Sequence, residues 1–141
     1  MCIRDRNKID YLQGYLSVND SGITRIRIFK KTGILCIKSK SSGISRDEFE
    51  YEIPYEDATR FIKLSEGSII KKTRAKLGFK DKIWEIDEFH DRNKGLWIAE
   101  VELRNENESI EVPPWATKEV TLDERYYNSF LCYKPYDTWS I

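Results

Sequence analysis

The sequence predicts an α+β fold in which a curled antiparallel β-sheet makes up most of one domain and helices pack outside it. Several segments alternate charged and apolar side chains, as strands with one face on a core do. Short turn sequences, such as the one at residues 19–22, separate these segments. One stretch after Pro54 instead places Ala58, Phe61 and Ile62 on a single helical stripe. These patterns indicate many strands and few helices.

The predicted strand at residues 46–53 shows the alternation most clearly. Its even-numbered positions are Arg46 and then glutamates, whereas its odd-numbered positions from Phe49 onward are apolar. The two sets lie on opposite faces, with same-face neighbours roughly 7 Å apart. If the charged face lines a concave space, its carboxylates are suited to hold a divalent cation.

Six further strands are predicted at residues 9–17, 23–30, 34–40, 68–77, 83–89 and 96–103. Gly14 in the first of them indicates a bulge or a close approach of another segment. The charged faces of the others are sorted by sign. The cations are Arg25, Arg27, Lys38, Lys72 and Arg74, and the anions are Glu85, Asp87, Glu100 and Glu102.

Two helices complete the prediction. The first follows Pro54 and lasts about three turns. The second begins at Asp123 and carries Tyr126, Tyr127, Phe130 and Leu131. We assign residues 1–6 to a disordered or non-native leader, residues 7–134 to the domain and residues 135–141 to a frayed C-terminal tail.

The composition excludes several functions. The 24 basic residues balance 24 acidic ones, which argues against a nucleic-acid partner because such domains usually show a basic excess. No apolar run is long enough to span a membrane, so we expect no membrane partner. Cys2, Cys36 and Cys132 lack the spacing of a disulfide framework or a thiolate metal site, which favours a reducing, cytoplasmic compartment.

The sorted charges favour a ligand that is a polyanion carrying a divalent metal. The alternative, that each charged face simply meets water, is the common outcome for a single strand. Six strands with the same pattern argue against this alternative. Each unpaired charge buried inside a curled sheet would carry a desolvation penalty on the order of several kcal/mol. Carboxylates suit Mg²⁺ or Mn²⁺, and guanidinium and ammonium groups suit phosphate oxygens.

Short motifs along the chain carry a resemblance to a known family. In order they are Gln13-Gly14-Tyr15-Leu16, Arg25-x-Arg27, Ile37-Lys38, Ser45-Arg46-x-Glu48-x-Glu50, Lys72-Thr73-Arg74, Glu85-x-Asp87-x-Phe89, Glu100-x-Glu102, Pro113-Pro114-Trp115 and Arg125-Tyr126. Each motif is weak alone, but the ordered set is specific. The chain resembles the CYTH superfamily of triphosphate tunnel metalloenzymes, and within it the short bacterial inorganic tripolyphosphatases, over residues 11–131.

This resemblance implies a closed or nearly closed antiparallel β-barrel, the triphosphate tunnel, that hydrolyses inorganic triphosphate or a related triphosphate with Mg²⁺ or Mn²⁺. Tyr15 and Lys38 match a proposed catalytic dyad. The implied phosphate ligands are Arg25, Arg27, Lys38, Arg46, Lys72 and Arg74, and the implied metal ligands are Glu48, Glu50, Glu85, Asp87, Glu100 and Glu102. A class IV adenylate cyclase-like activity and a non-catalytic polyphosphate- or nucleotide-binding module stay open as alternatives, as do a monomeric and a homodimeric state.

The chain departs from the family at its start. The family opens with a Glu-x-Glu-x-Lys strand well before the Gln-Gly-Tyr-Leu stretch, but only twelve residues precede Gln13 here and none form that motif. We therefore expect the first strand of the tunnel to be missing, with weakened metal binding and an unpaired sheet edge.

Overall fold

The computed structural model describes residues 8–40 and 46–140, and in these ranges seven strands form one antiparallel sheet. The predicted leader at residues 1–6 lies outside the described residues. The order across the sheet is β4-β3-β2-β1-β5-β6-β7. The bounds are β1 Lys8–Asn19, β2 Gly22–Phe29, β3 Thr32–Ser39, β4 Glu48–Ile53, β5 Glu66–Phe79, β6 Lys82–Phe89 and β7 Trp97–Val101. All seven predicted strands are confirmed, with ends that shift by a few residues.

Tight turns fix the register of the sheet. The β1–β2, β2–β3 and β5–β6 hairpins each leave two residues between their last paired positions. In the latter two hairpins the first turn residue is Lys30 or Lys80, with φ of 52° and 57°. Two-residue turns of this kind hold the strands in one register. Sequence parity therefore predicts which side chains share a face, except across the register shift between Tyr15 and Ser17 in β1.

The sheet is not closed into a barrel by hydrogen bonds. Its edges are β4 and β7, and no backbone pairing joins them in the part of the chain that the structure describes. The antiparallel sheet is confirmed, whereas a hydrogen-bonded barrel is not observed.

An apolar cluster on one face of the sheet lies under the first helix, α1 (Tyr55–Phe61), which continues into a 3-10 turn at Ile62–Leu64. Ile26 and Ile28 of β2 pack there against Ala58 and Ile62. Burial of such aliphatic side chains contributes about 1.5–3 kcal/mol each. The helix predicted after Pro54 is therefore present, and it packs outside the sheet as expected.

A second apolar cluster lies on the opposite face, which also carries the charges. Phe89, Ile70 and Tyr15 pack there against Leu131 of the second helix, α2 (Asn128–Leu131). The prediction that helices pack outside the curled sheet is wrong for α2. Its residue Leu131 packs against apolar side chains on the same face of the sheet that carries the charges. Tyr136 also packs against the cluster, so the expected frayed tail is wrong for this residue.

Three further expectations need correction. The second helix does not run from Asp123, because an extended residue, Tyr127, separates a 3-10 turn from the four-residue α2. Asp123 does cap that turn, accepting a hydrogen bond from the Arg125 backbone amide. The apolar face of β4 is not covered by helices: Phe49 and Tyr51 are 51% and 56% exposed, because α1 lies over β2 and β3. Trp97 on β7 is exposed for the same reason.

No helix among the described residues is long and apolar enough to cross a membrane.

Candidate functional site

The predicted site residues in the strands share one face of the sheet, because residues opposite each other in antiparallel strands point to the same side. Tyr15 lies opposite Arg25, which in turn lies opposite Cys36, and Cys36 lies opposite Glu50. We call this side the charged face. It carries Gln13, Tyr15, Arg25, Arg27, Lys38, Glu48, Glu50, Lys72, Arg74, Glu85, Asp87 and Glu100.

Two predicted site residues lie outside the strands. Arg46 precedes β4 and is exposed, and Glu102 follows the end of β7 and is exposed. The structure therefore places both near the margin of the charged face rather than within its paired rows.

The centre of the charged face is a buried ion cluster. The Lys72 ammonium donates to Asp87 Oδ2 at 2.8 Å, and both residues are only 1% exposed. Arg74 grips the same carboxylate with two hydrogen bonds, from Nε at 2.7 Å and from Nη2 at 2.9 Å. Its third guanidinium nitrogen, Nη1, lies 3.2 Å from Glu85 Oε2. Two buried cations thus share one buried carboxylate, and the second carboxylate, Glu85, is partly exposed to solvent.

The pKa values of this cluster follow from its burial. Burial acts to raise the pKa of Asp87, but hydrogen bonds from Arg74 and the charge of Lys72 outweigh it and hold the pKa below its ordinary value. Burial lowers the pKa of Lys72 from 10.5 to about 8, and the Asp87 carboxylate offsets this only in part. Lys72 therefore remains an ammonium ion at neutral pH, but it holds its proton less tightly than an exposed lysine does.

Two amide side chains connect this cluster to β2. Asn128, the first residue of α2, accepts hydrogen bonds on Oδ1 from Lys72 Nζ at 2.9 Å and from Gln13 Nε2 at 3.1 Å. Gln13 in turn accepts from Arg27 Nε at 2.8 Å. A continuous chain of hydrogen bonds thus runs from Arg27 to Asp87 without adding negative charge.

An aromatic ring separates two of the arginines. The guanidinium carbons of Arg27 and Arg74 lie 4.9 Å and 5.4 Å from the centre of the Tyr11 ring. Each cation is attracted by the electron-rich ring face, which lowers the cost of holding two like charges close together.

A second group of charges lies toward β4. Arg25 Nη2 is 3.8 Å from Glu50 Oε1, and Lys38 Nζ is 3.7 Å from Glu48 Oε1. The buried Cys36 thiol donates to Glu48 Oε1 at 3.6 Å. The Arg25 Nε atom is buried without a hydrogen-bond partner in the described chain. A buried donor of this kind is costly unless a ligand satisfies it.

The two residues of the predicted catalytic dyad lie on this side. Tyr15 and Lys38 share the charged face, on β1 and β3, with β2 between them. Burial raises the pKa of Tyr15 to about 12, against the opposing charges of Arg25 and Arg27. Burial and the nearby Arg25 lower the pKa of Lys38. Their catalytic role stays a prediction.

The carboxylates fit Mg²⁺ or Mn²⁺ in two places. At the β4 edge, ligand atoms of Glu48, Glu50 and Cys36 all lie within 4.8 Å of one another, and the two carboxylates supply the oxygen donors that these metals prefer. At the β7 edge, Glu85 and Glu100 lie directly opposite each other. Like charges in that position are destabilising unless a cation lies between them. Asp87 fits less well, because Lys72 and Arg74 already engage both of its oxygens.

Comparison with known proteins now identifies the family, since residues 6–129 match the CYTH domain. The chain belongs to the CYTH family. An inorganic triphosphatase of Acetivibrio thermocellus is 45% identical over 127 residues, which cover 89% of this CYTH chain and 81% of that protein. An inorganic triphosphatase of Nitrosomonas europaea is 36% identical over 126 residues, which cover 84% of this chain and 81% of that protein.

A solved structure extends the comparison to the fold. The crystal structure of an inorganic triphosphatase superposes with a TM-score of 0.66 at 30% identity, covering 89% of this chain and 85% of that one. The family resemblance drawn from the sequence motifs is therefore confirmed.

Three residues of the site escaped the sequence analysis. The alternation of β1 places Tyr11 on the same face as Gln13, so its parity could have identified it. Gln13 belonged to a recognised motif, but no sequence pattern indicated that it accepts a hydrogen bond from Arg27. No sequence pattern indicated the position of Asn128 either, because α2 is too short to show helical periodicity.

Proposed function

We propose that this CYTH protein hydrolyses inorganic triphosphate, with Mg²⁺ or Mn²⁺ as cofactor. The observation that carries the proposal is the charged face, where three cations but only one carboxylate, Asp87, are buried among the described residues. Arg25, Lys72 and Arg74 are buried in the sheet, and buried cations of this density need an anion to offset their desolvation. The names of the two curated relatives support triphosphate as that anion.

The proposed roles follow the positions of the side chains. The phosphate ligands would be Arg25, Arg27, Lys38, Lys72 and Arg74, with Arg46 at the margin. A metal would be held by Glu48 and Glu50 at the β4 edge, or by Glu85, Glu100 and Glu102 at the β7 edge, and it would neutralise charge on the phosphate oxygens. Asp87 would hold Lys72 and Arg74 in place when no substrate is bound.

The proposed chemistry is attack of water on the terminal phosphoryl group. Lys38 has a lowered pKa, which suits an amine that takes a proton from the attacking water. The buried Tyr15 hydroxyl keeps its proton, because its pKa is raised to about 12. It would therefore orient the water or a phosphate oxygen as a hydrogen-bond donor. Positioning and charge supply most of the rate enhancement in reactions of this class.

The test is phosphate release from tripolyphosphate with Mg²⁺ or Mn²⁺, alongside cyclic AMP formation from ATP and the affinity for tripolyphosphate without turnover. Lys38→Met should lower kcat by about a hundred-fold or more, as loss of a general base does. Lys31→Met, in an exposed turn, is the matched control and should leave kcat unchanged. Cyclic AMP formation, or binding without turnover by the wild type, would favour the alternative functions and overturn the proposal.

We also infer a cytoplasmic location. The buried Cys36 and Cys132 are free thiols, which suits a reducing compartment.

A further inference from the structure

We propose that Asn128 is a positioning residue that holds the phosphate-binding cations of β5 and β2 in one arrangement. It contacts Lys72 directly and reaches Arg27 through Gln13. Asn128 belongs to the C-terminal segment and not to the sheet. The inference rests on the proposed function, because it assigns Asn128 a part in binding the same polyanion.

The side-chain carbonyl oxygen of Asn128 is saturated with hydrogen bonds. This one oxygen accepts from Lys72 Nζ at 2.9 Å and from Gln13 Nε2 at 3.1 Å. A carbonyl oxygen has two lone pairs, so both are used and the amide plane has one favourable orientation. The two donors come from neighbouring strands, β1 and β5. Asn128 therefore holds the Lys72 ammonium group and the Gln13 amide group at a fixed separation on the charged face.

The hydrogen bonds of this network leave further donor groups on Lys72 and Arg27. Lys72 has three ammonium protons and donates two of them in hydrogen bonds to Asp87 and Asn128. Arg27 uses Nε toward Gln13, so that this contact does not occupy its terminal nitrogens. Gln13 is fully buried and uses both ends of its amide in the chain. The network thus orients each cation by one donor and keeps others for phosphate oxygens.

The Asn128 and Gln13 side chains that join the cations are uncharged amides. A carboxylate at position 128 would also accept from Lys72, but it would cancel that charge and repel a polyanion. An amide provides the geometry without the charge. We therefore expect Asn128→Asp to weaken anion binding, although the two side chains have nearly the same size and shape.

The experiment measures the Kd for tripolyphosphate in EDTA, together with KM, kcat and thermal stability. Asn128→Ala should raise both Kd and KM about ten-fold, the size expected for losing a hydrogen bond to a charged group, with kcat changed less than about two-fold. Asn128→Asp should raise Kd by at least as much as the alanine variant. It also serves as the second variant should Asn128→Ala fold poorly.

The matched control is Asn93→Ala. Asn93 is a buried asparagine that also secures the C-terminal segment, accepting from the Tyr136 amide at 2.8 Å, but no hydrogen bond joins its side chain to the charged face in the described chain. This variant should lose stability and keep a Kd within about two-fold of the wild type, since distant, unconnected sites rarely couple.

The outcomes separate the two proposals. Wild-type protein that binds tripolyphosphate without hydrolysing it would defeat the proposed function, while the ratio of variant to wild-type Kd would still decide the role of Asn128. An unchanged Kd in both Asn128 variants would overturn the inference. So would an equal rise in Kd for Asn93→Ala at equal loss of stability, or a wild type that does not bind tripolyphosphate.

Discussion

Replacing Asp87 by asparagine should destabilise the free protein strongly. The Asp87 carboxylate accepts three short hydrogen bonds from Lys72 and Arg74 and is 1% exposed. Asp87→Asn keeps the size of the side chain but removes the one buried counter-charge that Lys72 and Arg74 share. Breaking a buried ion pair by removing one partner costs about 3–5 kcal/mol. That is a large share of the roughly 5–15 kcal/mol by which domains are stable.

The matched control is Glu85→Gln, which removes the other carboxylate on Arg74. The Glu85 side chain is 37% exposed and pairs only at 3.2 Å with Nη1. Exposed pairs contribute about 0–1 kcal/mol, so this variant should cost less than about 1 kcal/mol. Urea unfolding followed by circular dichroism measures both losses, and we expect the melting temperature of Asp87→Asn to fall by about 10–20 °C.

Binding of tripolyphosphate should restore part of the stability that the Asp87→Asn variant loses. The substitution adds one positive charge to the charged face, so a polyanion can replace the lost counter-charge. At a hundred times Kd a ligand stabilises the folded state by about 2.7 kcal/mol, and in EDTA the resulting rise in melting temperature should be at least as large as in the wild type. Equal losses in Asp87→Asn and Glu85→Gln, or no rescue by tripolyphosphate, would refute the reasoning.

Two further predictions concern Lys72 and Gly14. Burial places the folded pKa of Lys72 at about 8, below its ordinary value of 10.5, so this group contributes a free energy of unfolding that rises with pH between these values. The raised pKa values of Cys36 and Cys132 act in the opposite direction, so the test is the difference in free energy of unfolding between the wild type and Lys72→Met in urea titrations. That difference should change in favour of the wild type as the pH rises across the window, and a difference independent of pH would contradict the prediction. An added Cβ at Gly14 would overlap Ser65 Oγ and lie 2.8 Å from Ile62 Cγ1, so Gly14→Ala should cost about 1–3 kcal/mol. Adding Ser65→Ala should recover part of that loss, and an unchanged loss in the double variant would disprove the steric cause.

Much of the charged face could be predicted because its residues obey a local rule. A period of two, combined with two-residue turns, places Arg25 opposite Cys36 and Arg74 opposite Asp87 without any knowledge of packing. The close approach at Gly14 also followed from the residue type alone, and Ser65 proves to be the neighbour. The facing of the strand residues and the need for a glycine at position 14 follow from local residue type and spacing, whereas the identity of Ser65 as the neighbour does not.

The parts that could not be predicted depend on distant contacts. Parity assigns Phe49 and Tyr51 to an apolar face, but it does not say that α1 is too short to cover them. Asn128 and Lys72 are in contact although they are far apart in sequence. The four-residue helix α2 is too short to show a periodicity that would indicate this contact. Closure of the sheet likewise depends on how β4 and β7 approach each other, which no strand encodes by itself.

The strand order has a consequence for how the protein folds. Among the described strands, every neighbouring pair joins consecutive strands except β1 and β5, where Ile9 lies opposite Arg74. Hairpins form within microseconds, whereas distant pairing first requires closure of a long loop. The cations Arg25 and Arg27 belong to the first meander, and Lys72 and Arg74 to the second. The anion site is therefore assembled only at the slowest pairing, so a polyanion would stabilise chains that have completed folding and not their precursors.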